Sequence, residues 1–124
     1  MEEGIFNRTE LLLGKETTHS IANKRVILFG VGGVGSWCAE SLIRSGIHHL
    51  TIVDSDCVCT TNINRQLIAL HSTIGRPKSE VLAERLHDIN PALDLRVVND
   101  YIKDEKTDLL LDSERFDYVV DAID

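Results

Sequence analysis

The feature that most restricts what this chain can fold into is a glycine turn placed between an apolar strand and a helix. Residues 25–56 read RVILFGVGGVGSWCAESLIRSGIHHLTIVDSD. The run Val26, Ile27, Leu28, Phe29 is apolar throughout instead of alternating, which suits a central parallel strand covered on both faces. It enters a turn with Gly30, Gly32 and Gly35 in G-x-G-x-x-G spacing, with an extra glycine at Gly33. A helical pattern then runs from about 33 to 45 and stops at Gly46. A second apolar run over 49–54 ends at Asp54. That layout is a nucleotide-binding βαβ unit.

Glycines serve such a turn by letting backbone N–H groups approach phosphate at the positive end of the following helix. From Gly35 to Asp54 is 54 − 35 = 19 positions. That is close to the roughly 20 expected for an acid that accepts from ribose hydroxyls. Asp56 follows two residues later. The bland alternative is a close helix–strand crossing that needs glycine for packing alone.

The rest of the chain continues the alternation. Residues 5–24 read as a helical lead-in, with Thr9 as its N-cap, an apolar patch at Leu11, Leu12 and Leu13, and Gly14 as a stop. In the 33–45 helix, Val34, Trp37, Cys38, Ser41 and Leu42 share one face, and Trp37 reads as core. A polar run, Thr60-Thr61-Asn62-Ile63-Asn64-Arg65-Gln66, precedes a short helix over 65–70. Pro77 fits the first position of a further helix that ends at Asn90-Pro91. Strands near 95–98 and 118–120 flank a polar helix over 104–113. The expected fold is α/β: a Rossmann-like open parallel sheet with helices on both faces, right-handed crossovers and an N-terminal helical lead-in.

At 124 residues the chain is long enough for one domain with a real core and too short for two ordinary ones. No apolar run approaches the length of a membrane span, and the first residues lack a basic, then apolar, leader pattern. The default reading is a cytoplasmic protein. The formal charge of −7 argues against a broad nucleic-acid surface. The three cysteines, Cys38, Cys57 and Cys59, read as buried or half-buried reduced thiols, with a zinc pair or reactive thiol as the alternative.

In open parallel sheets, ligands bind beyond the carboxyl ends of the strands. There the glycine turn, Asp54 and Asp56, the polar loop, and Asp121 and Asp124 should converge. Cations in the first turn of a helix oppose its dipole. Arg76 and Lys78 are such cations; a bound polyphosphate reverses that sign, and Lys78 reads as a phosphate contact, with a solvated lysine at a helix end as the alternative. Arg65 reads as a second phosphate clamp or a loop cap. Asp124 reads as a magnesium ligand, since Mg²⁺ takes one or two carboxylates plus substrate phosphates. Because no helix follows to cover its fourth strand, the sequence reads as the first half of a longer protein.

Taken together, these motifs resemble the ubiquitin-activating-enzyme-like adenylating superfamily of ThiF, MoeB and HesA type. They are Gly30-Val31-Gly32-Gly33-Val34-Gly35, Asp54-x-Asp56, Asn62-x-Asn64-Arg65-Gln66, Lys78 and Asp121-x-x-Asp124. The finer text is most similar to the tRNA threonylcarbamoyladenosine dehydratase branch: Arg8-Thr9-Glu10-Leu11-Leu12, the run from Asp56 to Leu70, Ile74-Gly75-Arg76-Pro77-Lys78 and Ile89-Asn90-Pro91. The resemblance implies ATP and Mg²⁺ as cofactors and adenylation of a carboxylate, followed by ring closure with loss of water. It implies that Gly30, Gly32, Gly33 and Gly35 cradle the nucleotide and that Asp54, with Asp56, holds the ribose. Asn62 and Gln66 would orient the phosphates, and Arg65 and Lys78 would neutralise them. Arg8 would reach into a partner's site, which implies a homodimer, with tRNA as substrate. Three alternatives stay open: activation of a ubiquitin-like sulfur-carrier protein, an NAD-dependent oxidoreductase, and a non-catalytic nucleotide-binding fragment. NAD binding leaves Gly33 and the Asn62–Gln66 and Lys78 set unexplained.

Overall fold

Strands made of unbroken apolar residues need cover on both faces, and the fold supplies it. The computed structural model describes residues 4–124. Met1, Glu2 and Glu3, part of the start read above for a leader, lie outside the described residues. Helices α1 (Asn7–Leu13) and α2 (Lys15–Ala22) precede β1 (Arg25–Phe29), α3 (Gly35–Arg44) and β2 (His49–Val53). Then come α4 (Lys78–Ile89), β3 (Asp94–Val98), α5 (Asp104–Asp112) and β4 (Tyr118–Asp121). The four strands form one parallel sheet in the order β3-β2-β1-β4.

Alternate residues of each strand face opposite sides. Val26 and Leu28 of β1, with Leu50 and Ile52 of β2, pack against Ala39 and Ile43 of α3 and Leu82 and Leu86 of α4. Ile27, Phe29 and Val53 face the other way, against Leu110 and Leu111 of α5 and Phe116. So α3 and α4 cover one face and α5 the other, as expected. The strand order reverses between β1 and β4, where helices switch faces.

Local details depart from expectation at several points. Thr9 lies inside α1, and Phe6 holds the cap position. Gly14 does end the helix, at φ 86°. The inward face of α3 is Gly35, Ser36, Ala39, Glu40 and Ile43. Val34 and Trp37 point outward, with Trp37 51% exposed. The periodicity fitted to large side chains missed this because the contact with the sheet is made by small ones. Glu40 is tolerated inward because Arg85 and Arg44 pair with it. No helix forms over 65–70; short 3₁₀ turns at Thr60–Asn62 and His71–Thr73 bracket an irregular loop instead. Pro77 caps α4 from outside. Cys57 and Cys59 are exposed and Cys38 is half-buried. Among the described residues, no group of three potential metal-ligating side chains occurs, and no helix is long and apolar enough to cross a membrane.

Candidate functional site

Where strand order reverses, the loops leaving neighbouring strands diverge and open a crevice. Here a cavity of about 870 Å³ lies beyond the carboxyl ends of β1, β2 and β4, within the usual range for small-molecule sites. Gly30, Gly32 and Gly33 line it, with Asp54, Asp56, Asn62, Arg65, Gln66, Lys78 and Asp124. Sequence-expected residues from four separate segments therefore meet in one place.

The glycines divide into two jobs. Gly30 sits at φ +95°, and a Cβ there would stand 2.5 Å from the Ala122 carbonyl oxygen. A Cβ on Gly35 would lie 1.8 Å from the Gly30 carbonyl oxygen. Gly35 is buried and is not among the cavity-lining residues. These two glycines let β1, α3 and the end of β4 pack closely, so the packing reading holds for Gly35. A Cβ on Gly32 would meet only the Gln66 amide nitrogen, at 3.7 Å. The space beside Gly32 is left open to the cavity, where a ligand can approach backbone.

Asp54 is buried, and both its oxygens are engaged. Oδ2 accepts from the Val31 N–H at 2.7 Å, and Oδ1 accepts from the Asp56 N–H at 2.7 Å. It ties the glycine turn to the end of β2. Asp56 is exposed at the cavity wall. Beyond it, residues 56–58 run antiparallel to 75–78. The Lys78 N–H donates to the Asp56 carbonyl and the Val58 N–H to the Arg76 carbonyl, both at 2.9 Å. This short ribbon brings the start of α4, and so Lys78, to the cavity.

Lys78 is only 7% exposed, and among the described residues no carboxylate forms an ion pair with it. Arg76, by contrast, lies before α4 and pairs with Glu84, a hydrogen bond that pushes the guanidinium pKa up. Arg76 does not line the cavity. Arg65 is exposed; its Nη1 donates to the Thr61 carbonyl at 3.1 Å and to Asn64 Oδ1 at 2.9 Å. Asn62 is buried and spends its carboxamide oxygen on the Cys59 N–H at 2.8 Å. Gln66 is buried too, and its Oε1 has no partner among the described residues.

Opposite these groups, Asp121 accepts from the Ile123 N–H at 3.1 Å, and Asp124 stands exposed on the cavity wall. Arg8 is exposed on α1 and does not line the cavity. Tyr101 and Ile102, between β3 and α5, also line it. Sequence reasoning missed them, although the loop after β3 also leaves the carboxyl edge of the sheet. It also missed Ser36 and Trp37, whose hydrogen bonds fasten the Arg65 loop to α3.

The ThiF family model matches residues 6–124. The chain belongs to the ThiF family. Among curated ThiF-type relatives, it is 47% identical over 111 residues to the tRNA threonylcarbamoyladenosine dehydratase of Haemophilus influenzae, covering 87% of this chain and 42% of that protein. Against the enzyme of the same name from Bacillus subtilis it is 44% identical, covering 96% of this chain and 46% of the relative. The structure superposes on Escherichia coli tRNA N6-threonylcarbamoyladenosine dehydratase in complex with ATP with a TM-score of 0.91, at 42% identity. That match covers 96% of this chain and 49% of the solved one. The chain thus spans less than half the length of these relatives.

Proposed function

We propose that this chain is the nucleotide-binding part of an ATP-dependent enzyme that adenylates the carboxylate of threonylcarbamoyladenosine in tRNA, leading to its cyclic, dehydrated form. The observation that carries this reading is Lys78. A buried lysine with no carboxylate partner is costly, and an anionic ligand in the cavity it lines would repay that cost. The space beside Gly32 and the unpartnered Gln66 Oε1 suit the same cavity to a polar ligand approaching backbone. The dehydratase relatives and the ATP complex of one of them narrow that ligand to ATP.

The lining also supports a divalent cation. Arg65 and Lys78 supply two positive charges, and Asp54, Asp56, Asp121 and Asp124 four negative ones, a balance of 2 − 4 = −2. A polyphosphate entering that wall needs a cation between it and the acids. Asp124, which lines the cavity and has no hydrogen-bond partner among the described residues, would hold Mg²⁺ with the phosphates.

When bound, ATP would supply an adenylyl group to the substrate carboxylate with release of pyrophosphate, giving an acyl centre that carries AMP as its leaving group. The protein's own contribution is positional and electrostatic. Arg65 and Lys78 would neutralise the charge on the leaving phosphates, the Gly32–Gly33 backbone would hold them, and Asp56 would take the ribose end. Arg8, outside the cavity of its own chain, would act in the site of a second copy, within a homodimer.

The test is to incubate the full-length protein with Mg-ATP and either threonylcarbamoyladenosine-bearing tRNA or small ubiquitin-like sulfur carriers, and to follow pyrophosphate release. Release with the modified tRNA supports the dehydratase. Release only with a carrier protein replaces it with the sulfur-carrier reading, and NAD(H) binding without ATP binding removes adenylation altogether.

A further inference from the structure

We infer that the first turn of α3, through Ser36 and Trp37, is the device that sets the Arg65 loop against the glycine turn; it deepens the nucleotide reading above and rests on it. Ser36 is fully buried. Its hydroxyl donates to the Gly32 carbonyl at 2.5 Å and accepts from the Leu67 N–H at 3.3 Å. One side chain therefore joins the glycine turn to the loop that carries Arg65 and Gln66. In a trans peptide the C=O and the following N–H point opposite ways. The Gly32 carbonyl also takes the Ser36 backbone N–H at 3.1 Å; held toward α3 by both donors, it turns the Gly33 N–H away from the helix, and the contribution particular to the Ser36 side chain is the link to Leu67.

Trp37 fastens the same loop one step upstream. Its indole N–H donates to the Arg65 carbonyl at 3.0 Å. The ring is half exposed and belongs to neither apolar cluster, so packing does not account for its place. The two bonds, to Leu67 N–H and Arg65 C=O, flank Gln66. They fix the backbone from which both the arginine and the glutamine project. Across the gap, Gly33 lies against the Arg65 side chain: a Cβ there would stand 3.3 Å from Arg65 Cγ. Ser36 and Trp37 touch no ligand in this arrangement. They are positioning residues, and their contribution to binding runs through Arg65 and the Gly32–Gly33 backbone.

A merely structural role and a positioning role separate in a double-mutant cycle. The measurement is calorimetric binding of Mg-ATP, with adenosine as a second probe, to the chain and to its Trp37→Phe, Arg65→Ala and doubly substituted forms. Trp37→Phe removes one hydrogen-bond donor from a half-exposed ring, and is expected to weaken Mg-ATP about fivefold. Once Arg65 is already alanine, the same change is expected to cost less than about twofold. Ser36→Ala, which loses both of its bonds, is expected to weaken Mg-ATP about tenfold and adenosine by less than about twofold. Equal losses from Trp37→Phe in both backgrounds, or equal losses for ATP and adenosine, overturn the inference. If the unsubstituted chain binds adenosine and ATP not at all, the nucleotide reading itself falls, and this inference falls with it.

Discussion

The Asp54 carboxylate accepts the Val31 N–H at 2.7 Å and so clamps the glycine turn to the end of β2. Its other oxygen takes the Asp56 N–H. These are charge-assisted bonds to backbone donors, the one from Val31 buried and the one from Asp56 partly so, and removing the carboxylate leaves the Val31 N–H without that partner. Asp54→Ala should therefore destabilise the fold by about 2–3 kcal/mol. Asp56→Asn, at an exposed position, should change stability by less than about 0.5 kcal/mol while weakening ATP. Urea unfolding midpoints, read beside ATP titrations, check both. If Asp54→Ala left the midpoint unchanged, the clamp would carry no structural load.

The two glycine jobs predict opposite phenotypes within six residues. At Gly35 an alanine methyl would press on the backbone oxygen of Gly30, which has no flexible end to yield. Overpacking against backbone costs about 1–3 kcal/mol or more, so Gly35→Ala should lower the melting temperature or abolish soluble expression. Gly32→Ala meets only the end of the Gln66 side chain. It should keep the melting temperature within a few degrees and lose ATP affinity. A Gly32→Ala chain that melts early and binds normally would reverse the assignment.

How far the sequence foretells this site depends on which physical signal each residue carries. The strands from Val26 to Phe29 and from Leu50 to Val53 are legible because unbroken apolar runs leave few alternatives to a buried parallel sheet. Asp54 and the glycines are legible by spacing. The face of α3 is not, because Ser36, Ala39 and the paired Glu40 carry the burial while Trp37 looks outward. Nor is the irregular course of 65–70, where the loop takes its shape from partners distant in sequence: Trp37 on Arg65, Ser36 on Leu67. Lys78 was singled out by its conflict with the helix dipole. What brings it to the cavity, the ribbon of 56–58 with 75–78, rests on pairing that no local pattern announces.

Lys78 combines burial with the lack of an ionic partner, and that predicts a trade between stability and binding. Replacing it with methionine keeps the apolar stem and removes a charge that is poorly solvated in the free protein. Lys78→Met should leave stability unchanged or raise it by up to about 1 kcal/mol. The same change should weaken Mg-ATP by at least about tenfold, given the strength of bonds from a charged donor. Thermal melts with and without Mg-ATP separate the two effects: the free variant should melt at or above the unsubstituted chain and gain little on adding nucleotide. A variant that melted much lower without nucleotide would make Lys78 a structural residue.

Glu40 predicts the pH dependence of the fold. It sits on the inward face of α3, where the hydrogen bond from Arg85 holds its carboxyl below the usual range, with Arg44 adding to the effect against the cost of burial. A carboxyl with a lowered folded pKa binds fewer protons in the native state than in the unfolded chain, where it titrates near about 4.3. Its contribution is therefore complete above that value and is lost as the pH falls through the folded pKa. Arg85 and Arg44 keep 42% and 58% of their side-chain surface exposed, so water screens the pairs and the contribution stays near about 1 kcal/mol. Glu40→Gln should lower unfolding free energy by about that amount at pH 7. The two chains should converge in stability at pH values where Glu40 is protonated, since a protonated glutamate and a glutamine present similar neutral groups to Arg85. Urea melts of both chains between neutral pH and about pH 3 measure this; a difference that persisted undiminished at the acid end would assign the loss to packing instead of charge.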